Sequence, residues 1–189
     1  MRPRSGRSAW AEQFPDLFAP MHIDYARADV QFSLTAPPPE LVSRIHLLGR
    51  CGEGLVVCAS ENGWRFLPGG TREPGESVQQ QLDREIGEES GARRTGQWSF
   101  FGAHRAVSHA EQPYRPHLPH PLAYWAYALA DVELVGLPTN PDDGEQVTEV
   151  QVLSPRQAVA YLAEHDPIHA DVVRLADAMG LLGRPAGVS

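Results

Sequence analysis

The chain has 189 residues, a formal net charge of −8, and 42% hydrophobic against 21% charged residues. That length holds one domain with a real core, and the composition excludes disorder as the default state. An acidic field of this size speaks against nucleic acid and anionic membranes as partners, and no apolar run reaches transmembrane length, so a soluble cytoplasmic protein is expected.

In chain order, residues 1–38 read as an N-terminal extension, 39–182 as the main domain and 183–189 as a tail. Arg2, Arg4 and Arg7 are read as a solvated tip. Trp10, Phe14, Leu17 and Phe18 recur at helical spacing, and residues 22–34 alternate as one strand through Ile23, Tyr25, Val30, Phe32 and Leu34. Both pieces are expected to cover a core face or a dimer partner. Pro37, Pro38 and Pro39 then stiffen the chain. A strand is expected over 41–48, and the continuous apolar run 55–59 reads as a strand buried on both faces. The turn Glu61-Asn62-Gly63 predicts a hairpin into residues 64–67.

A helix is expected from Ser77, which forms a capping box with Gln80, to Gly91, placed for a left-handed cap. Val78, Leu82 and Ile86 supply its apolar stripe, and Gly87 inside it suggests a close approach of another backbone. Strands are expected over 97–107, 122–129 and 147–153, with their aromatics mainly in the core. Between them lie a polar loop over 108–121 carrying His109, His117 and His120, and a Gly/Pro/Asp loop over 136–144. A second capping box, Ser154 with Gln157, opens a helix to about residue 164, and a last helix is expected over 168–179. Cys51 and Cys58 have no redox or metal spacing and are read as small buried hydrophobes. The loop histidines match no zinc spacing either.

Glu85, Glu88 and Glu89 share one face of the last turn of the helix at 77–91. Like charges so spaced destabilise a helix by a few tenths of a kcal/mol per pair, roughly, and the C-terminal dipole opposes anions as well. A solvated face does not call for that placement, but a divalent cation held by oxygen does.

The stretch Gly70, five residues, Glu76, seven residues, Arg84-Glu85-Ile86-x-Glu88-Glu89-x-Gly91-Ala92 resembles the Nudix box. Leu67-Pro68-Gly69-Gly70 ahead of it agrees, while Gln81 and Leu82 stand where the family usually has small apolar residues. The resemblance implies an α/β fold, an α/β/α sandwich with a mixed β-sheet. It also implies a metal-dependent hydrolase that cleaves the diphosphate of a nucleoside diphosphate linked to another moiety. Glu85, Glu88 and Glu89 would hold Mg²⁺ or Mn²⁺, helped by a backbone carbonyl at Gly69 or Gly70. Glu76 and Arg84 would be an ion pair tying loop to helix. The general base stays open among Glu85, Glu89, Glu145 and Glu149, though the last two read more readily as ordinary surface acids.

Arg105, His109, Tyr114, His117 and His120 are candidates for substrate contact, the histidines otherwise being plain loop residues. By analogy with relatives that build their site across subunits, the extension points to a homodimer. A non-catalytic nucleotide sensor on the same fold is the alternative reading. An isomerase is a weaker one, because it needs a pocket cysteine.

Overall fold

The computed structural model describes residues 9–140 and 146–183. Arg2, Arg4 and Arg7, the end of the loop at 136–144, Glu145, and the tail past residue 183 lie outside the described residues. The elements in order are α1 (Ala9–Gln13), α2 (Pro15–Phe18), β1 (Met21–Ile23), β2 (Ala28–Ser33), β3 (Val42–Cys51), β4 (Gly54–Ser60), β5 (Arg65–Phe66), β6 (Gly69–Thr71), α3 (Val78–Ser90), β7 (Ala92–Ser108), β8 (Leu122–Leu134), β9 (Val147–Leu153), α4 (Pro155–Ala163) and α5 (Pro167–Ala178). The strands form one sheet in the order β1-β2-β7-β8-β3-β4-β5, with β6 also on β3 and β9 also on β4. β3 and β8 run parallel and the other described pairs antiparallel, so the sheet is mixed.

Helices cover both faces. On one, Val78, Leu82 and Ile86 of α3 pack over Ile45, Leu47 and the small Ala126, Ala128 and Ala130 of β8. Leu82 is fully buried, which alone contributes about 2 kcal/mol. On the other, Phe14 and Leu17 join α4 and α5 over Phe32, Leu48, Leu55 and Val57. β4 thus sends Leu55 and Val57 one way and Val56 the other, as its unbroken apolar run implies.

Several details differ from the sequence expectations. The single strand at 22–34 is two, β1 and β2, separated by a 3₁₀ turn at Asp24–Ala26 that ends in Arg27 at φ 47°. The alternation through Tyr25 was misleading, since that ring is 79% exposed. β2 pairs with β7 along its whole length, so the N-terminal hairpin is a rung of the sheet. β7 and β8 run on past their expected ends to the pair Ala92↔Leu134, across irregularities after Arg94 and Phe100. Of the strand aromatics, Phe101 and Tyr127 are buried, whereas Trp98, Phe100, Tyr124 and Trp125 are only partly so. Cys58 is buried and Cys51 half-buried.

The two glycines closing α3 have opposite roles. Gly91 caps the helix at φ 60°, and a Cβ there would meet the Gly136 carbonyl oxygen at 2.4 Å. A Cβ on Gly87 would meet nothing among the described residues, so no backbone approach explains it. Gly87→Ala should therefore stabilise the protein by up to about 1 kcal/mol through helix propensity. Gly91→Ala should destabilise it by about 2 kcal/mol or more through backbone strain and the clash. Urea denaturation of both variants checks the pair of opposite signs.

Candidate active site

The loop between β6 and α3 and the last turns of α3 are fastened by one guanidinium. Arg84 Nε and Nη2 donate to Glu76 Oε1 at 2.6 Å and Oε2 at 3.1 Å, a two-pronged contact. Its Nη1 donates to Glu88 Oε2 at 2.9 Å, and Nη2 lies 3.0 Å from Glu85 Oε1 and 3.1 Å from the Thr71 carbonyl. Glu76 also accepts from the Glu73 N–H at 2.8 Å, which closes the loop on itself. Burial opposes ionisation of Glu76, but the hydrogen bonds from Arg84 and Glu73 hold its carboxyl below the usual range. Burial also works against the Arg84 charge, and the carboxylates of Glu76, Glu85 and Glu88 outweigh it.

Two of the metal candidates, Glu85 and Glu89, meet the Gly69–Gly70 turn, and the third, Glu88, is held by Arg84. Glu89 Oε2 accepts from the Gly69 N–H at 2.7 Å. A Cβ on Gly70 would lie 2.5 Å from Glu85 Oε1, so only glycine leaves that carboxylate its room. Gly69, at φ 151°, sits so close to β3 that a Cβ would meet the Ile45 carbonyl at 2.1 Å. Burial, aided by Glu88 and Glu76 and opposed by Arg84, pushes the Glu85 carboxyl up to about 7.

Three carboxylates around one guanidinium leave the cluster short of positive charge, and all the donors are hard oxygens. These residues fit a Mg²⁺ or Mn²⁺ ion. The Gly70 carbonyl accepts from Gln81 Nε2 at 2.8 Å. Gln81 is therefore a buried strut between helix and turn, a role its place in the sequence did not announce.

The turn opens on a cleft with two lobes. The larger, about 680 Å³, is lined by Gly69, Gly70 and Glu89 at one end and by His46, His104 and His169 along its floor. The smaller, about 290 Å³, lies between the β1–β2 turn and the 108–121 loop and includes Ser108, Arg27 and His120. Tyr25, Arg44, Thr71, Tyr114 and Trp125 line both lobes, so the two are continuous. At their junction the Arg44 guanidinium lies 5.7 Å from the Trp125 ring centroid. Tyr25 and Tyr114, 79% and 80% exposed, stand at the mouth.

Of the candidates for substrate contact, Tyr114 and His120 reach this cleft. His117 lies behind it, its Nε2–H donating to the Arg72 carbonyl at 2.7 Å. Arg105 is exposed on the opposite face, because its neighbours His104 and Ala106 point into the cleft. His109 is also away from the cleft, against Asp29. Glu149 is exposed on β9, where it accepts from the Tyr161 hydroxyl at 3.0 Å, and is not part of the cluster. Arg44, His46, His104 and His169 went unnoticed in the sequence, and Trp125 was read with the other strand aromatics as mainly core. A signal existed for the first two: Arg44 and His46 alternate with Ile45 and Leu47 in an otherwise apolar strand.

A NUDIX domain model matches residues 42–176. The fold is similar to that of a pyrophosphohydrolase from Bacillus subtilis, at 17% identity and a TM-score of 0.58, covering 87% of this chain and 99% of that one. It is also similar to a NUDIX hydrolase from Nitrosomonas europaea, at 17% identity and a TM-score of 0.54, covering 73% and 90%. Comparison with curated proteins gives no match. With 42–176 matched, the chain belongs to the NUDIX family. Among the described residues no helix is long and apolar enough to cross a membrane.

The floor of the larger lobe carries its own pH signature. Burial lowers His46 well below its usual value, His104 to about 4 and His169 to about 3. The unfolded chain takes up these protons near pH 6.5 and the folded one does not. Stability present above pH 6.5 is therefore lost as pH falls toward 4, by about 1.4 kcal/mol per pH unit for each group. His104→Phe, which cannot titrate, should shrink the stability difference between pH 7 and pH 5 by about 2 kcal/mol. Urea denaturation at the two pH values tests this, and an unchanged difference would contradict it.

Proposed function

We propose that this NUDIX protein is a metal-dependent pyrophosphohydrolase that cleaves the diphosphate of a nucleoside diphosphate linked to a second moiety. The observation that carries the reading is the placement of Glu85 and Glu89 against the Gly69–Gly70 turn, with Arg84 holding Glu88 beside Glu85, at one end of a continuous, two-lobed cleft. Glu85, Glu88 and Glu89 would hold Mg²⁺ or Mn²⁺, helped by a backbone carbonyl at Gly69 or Gly70. When bound, the cation supplies positive charge opposite the diphosphate and makes water more acidic.

The chain's own residues do the rest. Arg84 fixes the carboxylate positions, so little reorganisation is needed as charge develops. Arg44 offers the cleft a cation beyond the box, and the Trp125, Tyr25 and Tyr114 rings offer faces for a base. The neutral imidazoles of the floor hydrogen-bond without adding charge, and the walls on both sides orient a two-ended substrate past the carboxylates. A two-ended substrate suits two lobes better than a bare triphosphate.

The test is turnover of nucleoside triphosphates, ADP-ribose, dinucleoside polyphosphates and nucleotide sugars with Mg²⁺ or Mn²⁺. Diphosphate cleavage of a two-ended substrate is expected. Glu88→Gln and Glu89→Gln should each lower kcat by roughly 10²-fold or more, the scale of losing one electrostatic stabiliser. Glu149→Gln, outside the cleft, should leave kcat within about twofold, since it removes no contact to the reacting groups. No turnover of any substrate, or full activity in the Glu88 and Glu89 variants, would overturn the proposal.

A further inference from the structure

A cluster that the cleft does not use forms where the β1–β2 hairpin meets the loop after β7. His22 and Asp29 are direct cross-strand partners. His109 is brought beside them because its N–H donates to the Arg27 carbonyl at 2.8 Å, next to the rung Ala28↔Ser108. His22 Nδ1 lies 2.7 Å from Asp29 Oδ1, and His109 Nε2 lies 2.8 Å from Asp29 Oδ2. One nitrogen or oxygen from each of the three residues lies within 4.8 Å of the other two. Behind this trio, His22 Nε2 faces the Asp24 carboxylate at 3.7 Å.

We propose that His22, Asp29 and His109 bind a borderline divalent transition-metal ion of the Zn²⁺ kind, at a site separate from the box carboxylates. Two imidazoles and a carboxylate are a donor set that Zn²⁺ takes, whereas Mg²⁺ prefers oxygens alone. The three arrive on backbone fixed by sheet pairing, so convergence requires small side-chain rotations and no chain movement. The Asp24 carboxylate behind His22 is the kind of outer partner that orients a ligating imidazole and raises its basicity.

Hydrogen bonds from His22 and His109 hold the Asp29 carboxyl below its usual range, so it stands ionised at neutral pH. Side chains of His22, His109 and Asp29 are 47%, 54% and 59% exposed, which leaves remaining coordination positions to water. As hydrogen bonds alone, contacts this exposed would fasten the two segments only weakly. A bound ion would fasten them firmly. The hairpin between His22 and Asp29 carries Tyr25, and the loop that starts at His109 carries Tyr114, so the ion would clip together two walls of the cleft. Sequence spacing among the loop histidines could not reveal this, since two of the three ligands come from β1 and β2.

Calorimetric titration of the full chain with ZnCl₂, in the presence of excess Mg²⁺, tests the site. One saturable Zn²⁺ event per chain is expected, retained in Glu88→Gln. It should weaken by roughly tenfold or more in His22→Ala and in His109→Ala. His109→Gln, which keeps a hydrogen-bond donor toward Asp29 but no imidazole, should weaken it as well, and the visible absorption of Co²⁺ at the site should disappear with it. No saturable binding would overturn the proposal, as would binding that survives the histidine variants or is lost in Glu88→Gln instead. None of these readouts depends on the chain hydrolysing anything.

Discussion

One guanidinium holds the active-site cluster in place. Arg84 is three-quarters buried and reaches Glu76, Glu85, Glu88 and the Thr71 carbonyl at once. A charge taken that far out of water is tolerable only with partners on every side, and removing any of them strands the others. The arrangement therefore fixes, in one stroke, the β6–α3 loop, the helix that follows and the directions of the box carboxylates. It does so with fewer cations than anions. That deficit underlies the proposal that the cluster takes a divalent ion.

The sheet supplies the rest of the site by geometry. β6 is a three-residue strand laid against β3, where only glycine allows the close approach at Gly69. That pairing puts Arg44 and His46 beside the turn, and the parallel neighbour β8 brings Trp125 and Tyr127 in register with them. β7 then contributes His104, and the N-terminal hairpin, paired to β7, contributes Tyr25. The candidate site's turn, cleft floor and cleft mouth are thus successive consequences of strand order. The buried imidazoles make that floor costly to protonate, so its hydrogen-bonding character persists through neutral pH.

Local chemistry was readable from the sequence, and distant pairing was not. Ser77, Gln80 and Gly91 gave the ends of α3 because capping depends on neighbours within one turn. The box glutamates could be grouped because helical spacing alone puts them on one face. The run at 55–59 announced a strand covered on both sides. By contrast, the N-terminal hairpin read as one strand, since Ile23 and Tyr25 keep the alternation right up to a turn that only the pairing of β2 with β7 makes visible. Arg105 and Glu149 looked eligible by charge. Which face of a strand each occupies depends on register, and both face away from the cleft. Gln81 looked like a misfit in the helix until the Gly70 carbonyl appeared opposite it.

The assignment of the carboxylate cluster as the metal centre is the claim on which the functional reading turns, and direct Mn²⁺ binding measured by electron paramagnetic resonance tests it. The wild-type chain should bind Mn²⁺ saturably, and the Glu88→Gln, Glu89→Gln double variant, still folded by circular dichroism, should lose most of that binding. Equal Mn²⁺ binding by the two proteins would contradict the assignment.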